Sequence, residues 1–167
     1  GRITRNLENS FAYLNLSNFT FEKYKFNKFT FLLSYAEKKL QLHTVQNVIP
    51  VDFSAVMDFS LGNLGLELVT DKLSPLSVFS TAASRKSLQS FKELTVSARA
   101  GLSFNVNDNG LSYYLNGNLY LPSSVFPKGA QALVDLSGNG RRLDVKRLSL
   151  QGENVNASLD LSYLIKT

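Results

Sequence analysis

From Leu94 to Val106 every second side chain is apolar. Leu94, Val96, Ala98, Ala100, Leu102, Phe104 and Val106 alternate with Thr95, Ser97, Arg99, Gly101, Ser103 and Asn105. Successive side chains of a strand point to opposite faces, so a period of two predicts a strand with one buried and one wet face. Asn107-Asp108-Asn109-Gly110 follows, and Asn-Gly is the strongest short-range hairpin signal. The next run carries Leu111, Tyr113, Leu115, Leu119 and Leu121 on the opposite parity. A two-residue turn at Asn109-Gly110 would set Val106 opposite Tyr113 and Phe104 opposite Leu115. All the apolar side chains of the pair then share one face.

The same argument extends along the chain. The turn Ala36–Lys39 predicts Tyr35 opposite Leu40 and Leu33 opposite Leu42. Asn139-Gly140 predicts Leu136 opposite Leu143 and Val134 opposite Val145, and Gly152 predicts Leu150 opposite Val155 and Leu148 opposite Ala157. Leu64, Leu66, Leu68 and Thr70 form a further alternating strand. Two stretches share a rhythm: Phe26–Phe59 returns as Phe126–Tyr163, with Phe29, Phe31 and Leu33 falling on Ala132, Val134 and Leu136. Each stretch skips one beat, at His43-Thr44 and at Lys146-Arg147, as a β-bulge would. Tandem units of this kind stack into elongated arrays that work through a continuous surface. Only Ser74–Phe91 breaks the pattern. Ser74-Pro75 reads as an N-cap with proline at the first helical position, and Leu76, Phe79, Ala83, Leu88 and Phe91 sit near helical spacing, which predicts one or two short helices.

Composition narrows the class. A chain of 167 residues, 44% hydrophobic and 19% charged, is a globular domain with a sizeable apolar content rather than a disordered tail. Twelve Phe and seven Tyr favour strands. No apolar run approaches the roughly 18–20 residues of a membrane-spanning helix, and no charged-then-apolar leader stands at Gly1, so no signal peptide is expected. The absence of cysteine excludes disulfides, thiolate zinc and cysteine nucleophiles. A net charge of +5 is spread along the chain. Its densest clusters, Lys23/Lys25/Lys28 and Arg141/Arg142/Lys146/Arg147, fall around turns and polar faces, and nucleic acid is not an expected partner.

Catalytic and metal chemistry finds little support. His43 is the single histidine, without a second histidine or cysteine to share a metal, and it is expected to be a solvated or bulge residue. Asp52 and Asp58 are separated by roughly 20 Å of extended chain, too far for an acid/base pair, and read as surface carboxylates. Asn105–Gly110 superficially resembles a calcium loop, but Asn116 stands where a bidentate glutamate is needed. Gly138 and Gly140 precede no helix that could hold a phosphate. Three sequons, at Asn15, Asn18 and Asn156, are expected by chance in an Asn/Ser-rich chain. No enzyme activity and no cofactor are expected.

Nine or ten antiparallel strands at about 4.8 Å spacing make a sheet some 45 Å wide, whereas a helix about 10 Å across covers two strands. The rest of the apolar face must close as a barrel, fold over as a sandwich, or curl into a trough around something apolar.

Leu61–Ser80, with its Leu73-Ser74-Pro75-Leu76, and Ala132–Leu164, with Leu143-Asp144-Val145 and Leu148-Ser149-Leu150-Gln151-Gly152, resemble the TamB branch of the AsmA-like proteins. These long proteins of the Gram-negative envelope are runs of similar strands. The Phe- and Lys-rich first third departs from their glycine-dotted style. The resemblance implies an all-β, mainly antiparallel fold: a curved, taco-like meander sheet with an apolar concave face and one or two short helices. It implies a periplasmic segment of an inner-membrane-anchored protein, sheltering phospholipid acyl chains between the two membranes, with an outer-membrane barrel of the TamA type as a partner. The chain is then expected to be a single β-rich domain over 1–167 and a fragment of a longer protein. It would carry an internal repeat over 11–70 and 113–167 and a helical insertion over 74–91. The side chains expected to line the groove are Val96, Ala98, Ala100, Leu102, Phe104, Tyr113, Leu115, Leu119, Leu159 and Leu161. The alternatives are a β-sandwich binding or adhesion module and a membrane β-barrel.

Overall fold

The alternating pattern builds a single wide sheet. The structure, a computed structural model, describes residues 9–22, 24–45, 49–79, 86, 89–123, 126 and 128–164. Ten long strands follow one another with every neighbour antiparallel, in the order β1 (Ser10–Leu16), β4 (Phe29–Ala36), β5 (Lys39–Thr44), β6 (Val51–Asp58), β7 (Asn63–Leu73), β8 (Thr95–Asn105), β9 (Gly110–Leu121), β10 (Ala130–Asn139), β11 (Arg142–Gly152) and β12 (Val155–Leu164). Two short strands, β2 (Thr20–Phe21) and β3 (Tyr24–Lys25), make a separate hairpin between β1 and β4. The fold is all-β, and among the described residues the large sheet stays open: β1 and β12 are its outer strands and do not pair with each other.

Register shows how hairpin chemistry works here. The Ala36–Lys39 turn forms as expected, with Tyr35 opposite Leu40 and Leu33 opposite Leu42. Glu37 and Lys38 both take positive φ, 50° and 59°, the backbone of the tight hairpin turn whose twist matches the flanking strands. The other three registers differ from expectation. Val106–Asn109 form a four-residue loop, so Phe104 faces Leu111 and Leu102 faces Tyr113. The loop is held by its own side chains, with Asn105 Oδ1 accepting from Asn107 N and Asp108 Oδ1 from Gly110 N. Gly140-Arg141 is the turn that follows Asn139, so Leu136 faces Val145. There the Asn139 side chain accepts from the backbone N–H groups of Arg141 and Arg142. At the last hairpin Gly152 faces Val155 and Leu150 faces Ala157. Each pairing slides by an even number of residues. Facing is therefore unchanged, because only an odd slip turns a strand over.

One of the two expected bulges forms. Asp135 faces Arg147 while Leu136 faces Val145, leaving Lys146 as the extra residue of β11. The skipped beat at His43-Thr44 is instead the end of β5: Leu32–His43 and Phe31–Thr44 pair regularly, and Val45 N adds a last bond to Thr30 O. Thr44 closes that end by accepting a hydrogen bond from Phe53 N through its Oγ1. The second bulge lies in β7, between Thr70 and Leu73. There Lys72 has φ 49° and its N–H donates to Ser97 Oγ. The helical expectation over Ser74–Phe91 is corrected at both ends. Pro75–Val78 and Gln89–Phe91 are 3₁₀ turns, and Ser74 precedes the first without a side-chain capping bond. Residues 80–85 and 87–88 lie outside the described residues, so Ala83 and Leu88 are not placed.

The longer connections gather at one end of the sheet. There the β2–β3 hairpin reaches over to the turn after β7, about three strand spacings or ~14 Å away. Asn27 N donates to Val78 O at 3.0 Å and Asn27 Nδ2 to Ser77 O at 2.6 Å. Rings pack beside these bonds: Phe26 on Phe79 at 5.1 Å, Tyr24 on Phe79 at 5.2 Å and Phe19 on Phe26 at 5.2 Å. The Phe-rich N-terminal third therefore builds an aromatic cap on one end of the sheet.

At the opposite end Asp58 corrects a second reading. It is buried, not a surface carboxylate, and closes the β6–β7 turn by accepting from Leu61 N at 3.1 Å and Ser60 N at 2.9 Å, with Lys39 Nζ at 3.5 Å. The Leu61 bond above all holds its carboxyl below the ordinary 3.8. A carboxylate depressed on folding stabilises the fold fully above its unfolded pKa, and that contribution disappears as pH falls through the folded value. Asp58→Ala should thus melt below the wild type at neutral pH, with the gap closing as pH falls below about 4. Melting curves across that range check this; a gap independent of pH would contradict it.

Candidate functional site

One face of the sheet is apolar from edge to edge. A single transverse row takes one residue from each of the ten strands: Ala12, Leu33, Leu42, Ala55, Leu66, Leu102, Tyr113, Gly138, Leu143 and Tyr163, each directly opposite the next. It contains no charge. Parallel rows run beside it: Phe53, Leu68, Ala100, Leu115, Leu136, Val145 and Leu161 on one, and Val51, Thr70, Ala98, Gly117, Val134, Leu148 and Leu159 on the next. All ten side chains expected to line a groove lie on this face. Val96 sits opposite Leu119, Ala98 opposite Gly117, Ala100 opposite Leu115, Leu102 opposite Tyr113 and Phe104 opposite Leu111. Leu159 and Leu161 continue the rows on β12, opposite Leu148 and Val145.

Much of this face stays partly exposed, although Thr70 is buried where its hydroxyl donates to Pro50 O. Leu68 is 39% exposed, Leu102 38%, Leu148 46% and Leu159 48%. Ile49 and Ala130 are the buried hydrophobic residues of the described chain. The molecule exposes 11651 Å², whereas a compact monomer of this mass exposes about 8,200 Å². A shallow cavity of about 200 Å³ lies against Phe53, Leu66, Leu68, Ala100 and Leu102. Next to it Tyr113 lies flat across Gly138: a Cβ there would stand 2.6 Å from the Tyr113 hydroxyl and 2.5 Å from the Arg142 carbonyl. Glycine lets the ring pave the face instead of standing up from it.

The opposite face is polar and organised around Glu67. Its Oε1 accepts from Arg99 Nε at 2.7 Å and from the Tyr114 hydroxyl at 2.6 Å. Tyr114 reaches it by crossing Gly101, where a Cβ would meet the ring at 2.3 Å. The Tyr114 bond, then the Arg99 bond, hold the Glu67 carboxyl below its ordinary value, while Tyr114 is pushed up by sharing a proton with that anion. Asp144 is held down likewise by Ser162 and Arg142. Arg99 and Tyr114 clamp Glu67 across strands, and Ser162 reaches Asp144 across strands while Arg142 reaches it along its own strand. His43 lies on this face opposite Ser54, away from any bulge. No cluster of metal-ligating side chains occurs among the described residues. In the calcium-like loop the Asn105 and Asp108 oxygens are engaged in holding the hairpin.

Sequence reasoning missed the aromatic cap, Asp58 and the Tyr-over-Gly pairs. Only the cap had a signal, in the density of Phe19, Phe21, Tyr24, Phe26 and Phe29. Fold and face together define an all-β protein with one large open sheet and a broad, partly exposed apolar surface. No known family, characterised protein or solved structure matches the chain.

Proposed function

We propose that the apolar face shelters phospholipid acyl chains, and that the chain is a segment of a periplasmic bridge passing lipid between inner and outer membranes, with a TamA-type barrel among its partners. The observation that carries this reading is the uncharged row from Ala12 to Tyr163, whose side chains stay partly exposed across ten strands. Water-exposed apolar patches beyond a few hundred Å² mark a missing partner. A broad, uncharged and mainly hydrocarbon surface suits a ligand whose recognised part is itself hydrocarbon. Burying a CH₂ group there is worth about 0.8 kcal/mol, so a long acyl chain would be held firmly yet could slide, since no contact fixes its position. The polar face, clamped by Glu67, Arg99 and Tyr114, would keep the other side in water.

A membrane barrel would have β1 paired with β12, and a sandwich would set a second large sheet against this face; neither arrangement is present among the described residues. The test is native mass spectrometry of protein purified without detergent, together with a photo-reactive amino acid at Leu68. Phospholipid adducts and crosslinks to acyl chains are expected. A lipid-free protein whose Leu68 probe crosslinks only to peptide would overturn the reading.

A further inference from the structure

The polar face carries a second cavity, on the central strands β7 to β10 and on the far side of the sheet from the hydrocarbon rows. It is shallow, about 300 Å³, and lined by Val69, Ser97, Arg99, Asn116, Asn118 and Leu133. Asn118 Oδ1 in its wall is buried and has no hydrogen-bond partner among the described residues. Buried acceptors left unpaired are rare in native proteins. The neighbouring hydroxyl, by contrast, is engaged: Ser97 Oγ donates to Asp71 Oδ1 and accepts from Lys72 N.

Two tyrosines flank the amides. Along β9 the side chains of this face run Tyr114, Asn116, Asn118, Tyr120, so the tyrosines stand about 20 Å apart with both amides between them. The Tyr114 ring lies on Gly101 and is 38% exposed, with one side on the backbone and the other toward solvent. Its hydroxyl bonds Glu67, which holds the ring in place before any ligand arrives. Tyr120 leans toward Gly129, where a Cβ would stand 3.5 Å from its hydroxyl, and is 47% exposed. Nearby charges are balanced. Arg99 is bonded to Glu67, and Asp135, opposite Asn116, also faces Arg147.

This combination selects a ligand. Fixed flat rings offer apolar platforms. Each amide offers both donors and an acceptor, and the Arg99 guanidinium keeps donors beyond the two nitrogens that Glu67 takes. An ion would find no unbalanced charge, and a hydrocarbon would bury the amides unpaired. A sugar ring matches on both counts, because its C–H faces stack on aromatic rings and its hydroxyls donate and accept. The amide torsion of asparagine is soft, so Asn118 can turn Oδ1 into the cavity as a sugar seats. We propose that the polar face binds a neutral oligosaccharide, with sugar rings stacked on Tyr114 and Tyr120 and a sugar hydroxyl donating to Asn118 Oδ1. This site does not depend on what occupies the apolar face.

Titration calorimetry of the whole chain with maltotetraose, cellotetraose and chitotetraose tests the proposal. At least one of the three should bind. Tyr114→Ala should weaken that sugar about tenfold, whereas Tyr114→Phe keeps the ring and should keep most of the affinity. Asn118→Leu should weaken it about fivefold yet melt no lower than wild type, because it removes a buried unpaired acceptor. Acyl-chain crosslinking at Leu68, on the opposite face, should be unchanged in all three variants. A wild type that binds none of the three sugars would overturn the proposal. So would sugar binding that Tyr114→Ala and Asn118→Leu both leave intact.

Discussion

Ala100→Asp and Leu119→Arg are expected to leave the sheet folded and to abolish acyl-chain crosslinking. In a dry core an unpaired charge costs several kcal/mol, enough to unfold a domain of ordinary stability. Here Ala100 lies beside a shallow cavity with Leu68 and Leu102, both more than a third exposed. A carboxylate at that position keeps its water. The stability change should stay near that of a surface substitution, about 0.5 kcal/mol, while the hydrocarbon surface is interrupted at its centre. Leu119, opposite both Val96 and Ala132, tests the same idea four residues further along each strand. Circular dichroism melts and the lipid crosslink are read on the same samples. Unfolding in both variants, with no lipid bound to the wild type, would return the face to an ordinary core.

The strands and their facing were legible in the sequence because both follow from parity alone. Leu94–Val106 and Leu111–Leu121 could be assigned to one face without knowing the turn between them. When the loop turned out to be Val106–Asn109, every partner changed and no side chain changed sides. Exact register was not legible, because it depends on which Asn oxygen caps which backbone N–H, and Asn105, Asn107 and Asn109 offer several choices. Bulges were half legible. Lys146-Arg147 interrupts apolar positions that resume within the same strand, whereas the same interruption at His43-Thr44 marks a strand end. The β7 bulge was hidden because Asp71 and Lys72 lie beyond the last obvious alternation at Thr70. Asp58 was misread for a different reason: a turn carboxylate that caps backbone donors has the same local sequence as a solvated one. The candidate face was legible as a list of residues, and its partial exposure only as an imbalance between sheet width and available helix.

Gly138→Val should be the most destabilising change in the sheet that introduces no charge. A Cβ at this position stands 2.5 Å from the Arg142 carbonyl oxygen and 2.6 Å from the Tyr113 hydroxyl. The ring can swing away, but the carbonyl belongs to the backbone of the neighbouring strand and cannot. Overpacking of this kind costs about 1–3 kcal/mol, and each kcal/mol lowers the melting temperature of a chain this size by roughly 2–4 °C. Gly140, two residues on, has nothing within 4 Å of a built Cβ, so Gly140→Ala should fall within about 0.5 kcal/mol of wild type. Tyr113→Leu in the Gly138→Val background separates the two contacts. Relief of the ring clash should restore part of the loss, and the part that remains measures the fixed carbonyl. Urea unfolding of the four proteins decides it: equal midpoints for Gly138→Val and Gly140→Ala would mean that Tyr113 does not lie across Gly138 and that the apolar face is not paved as described.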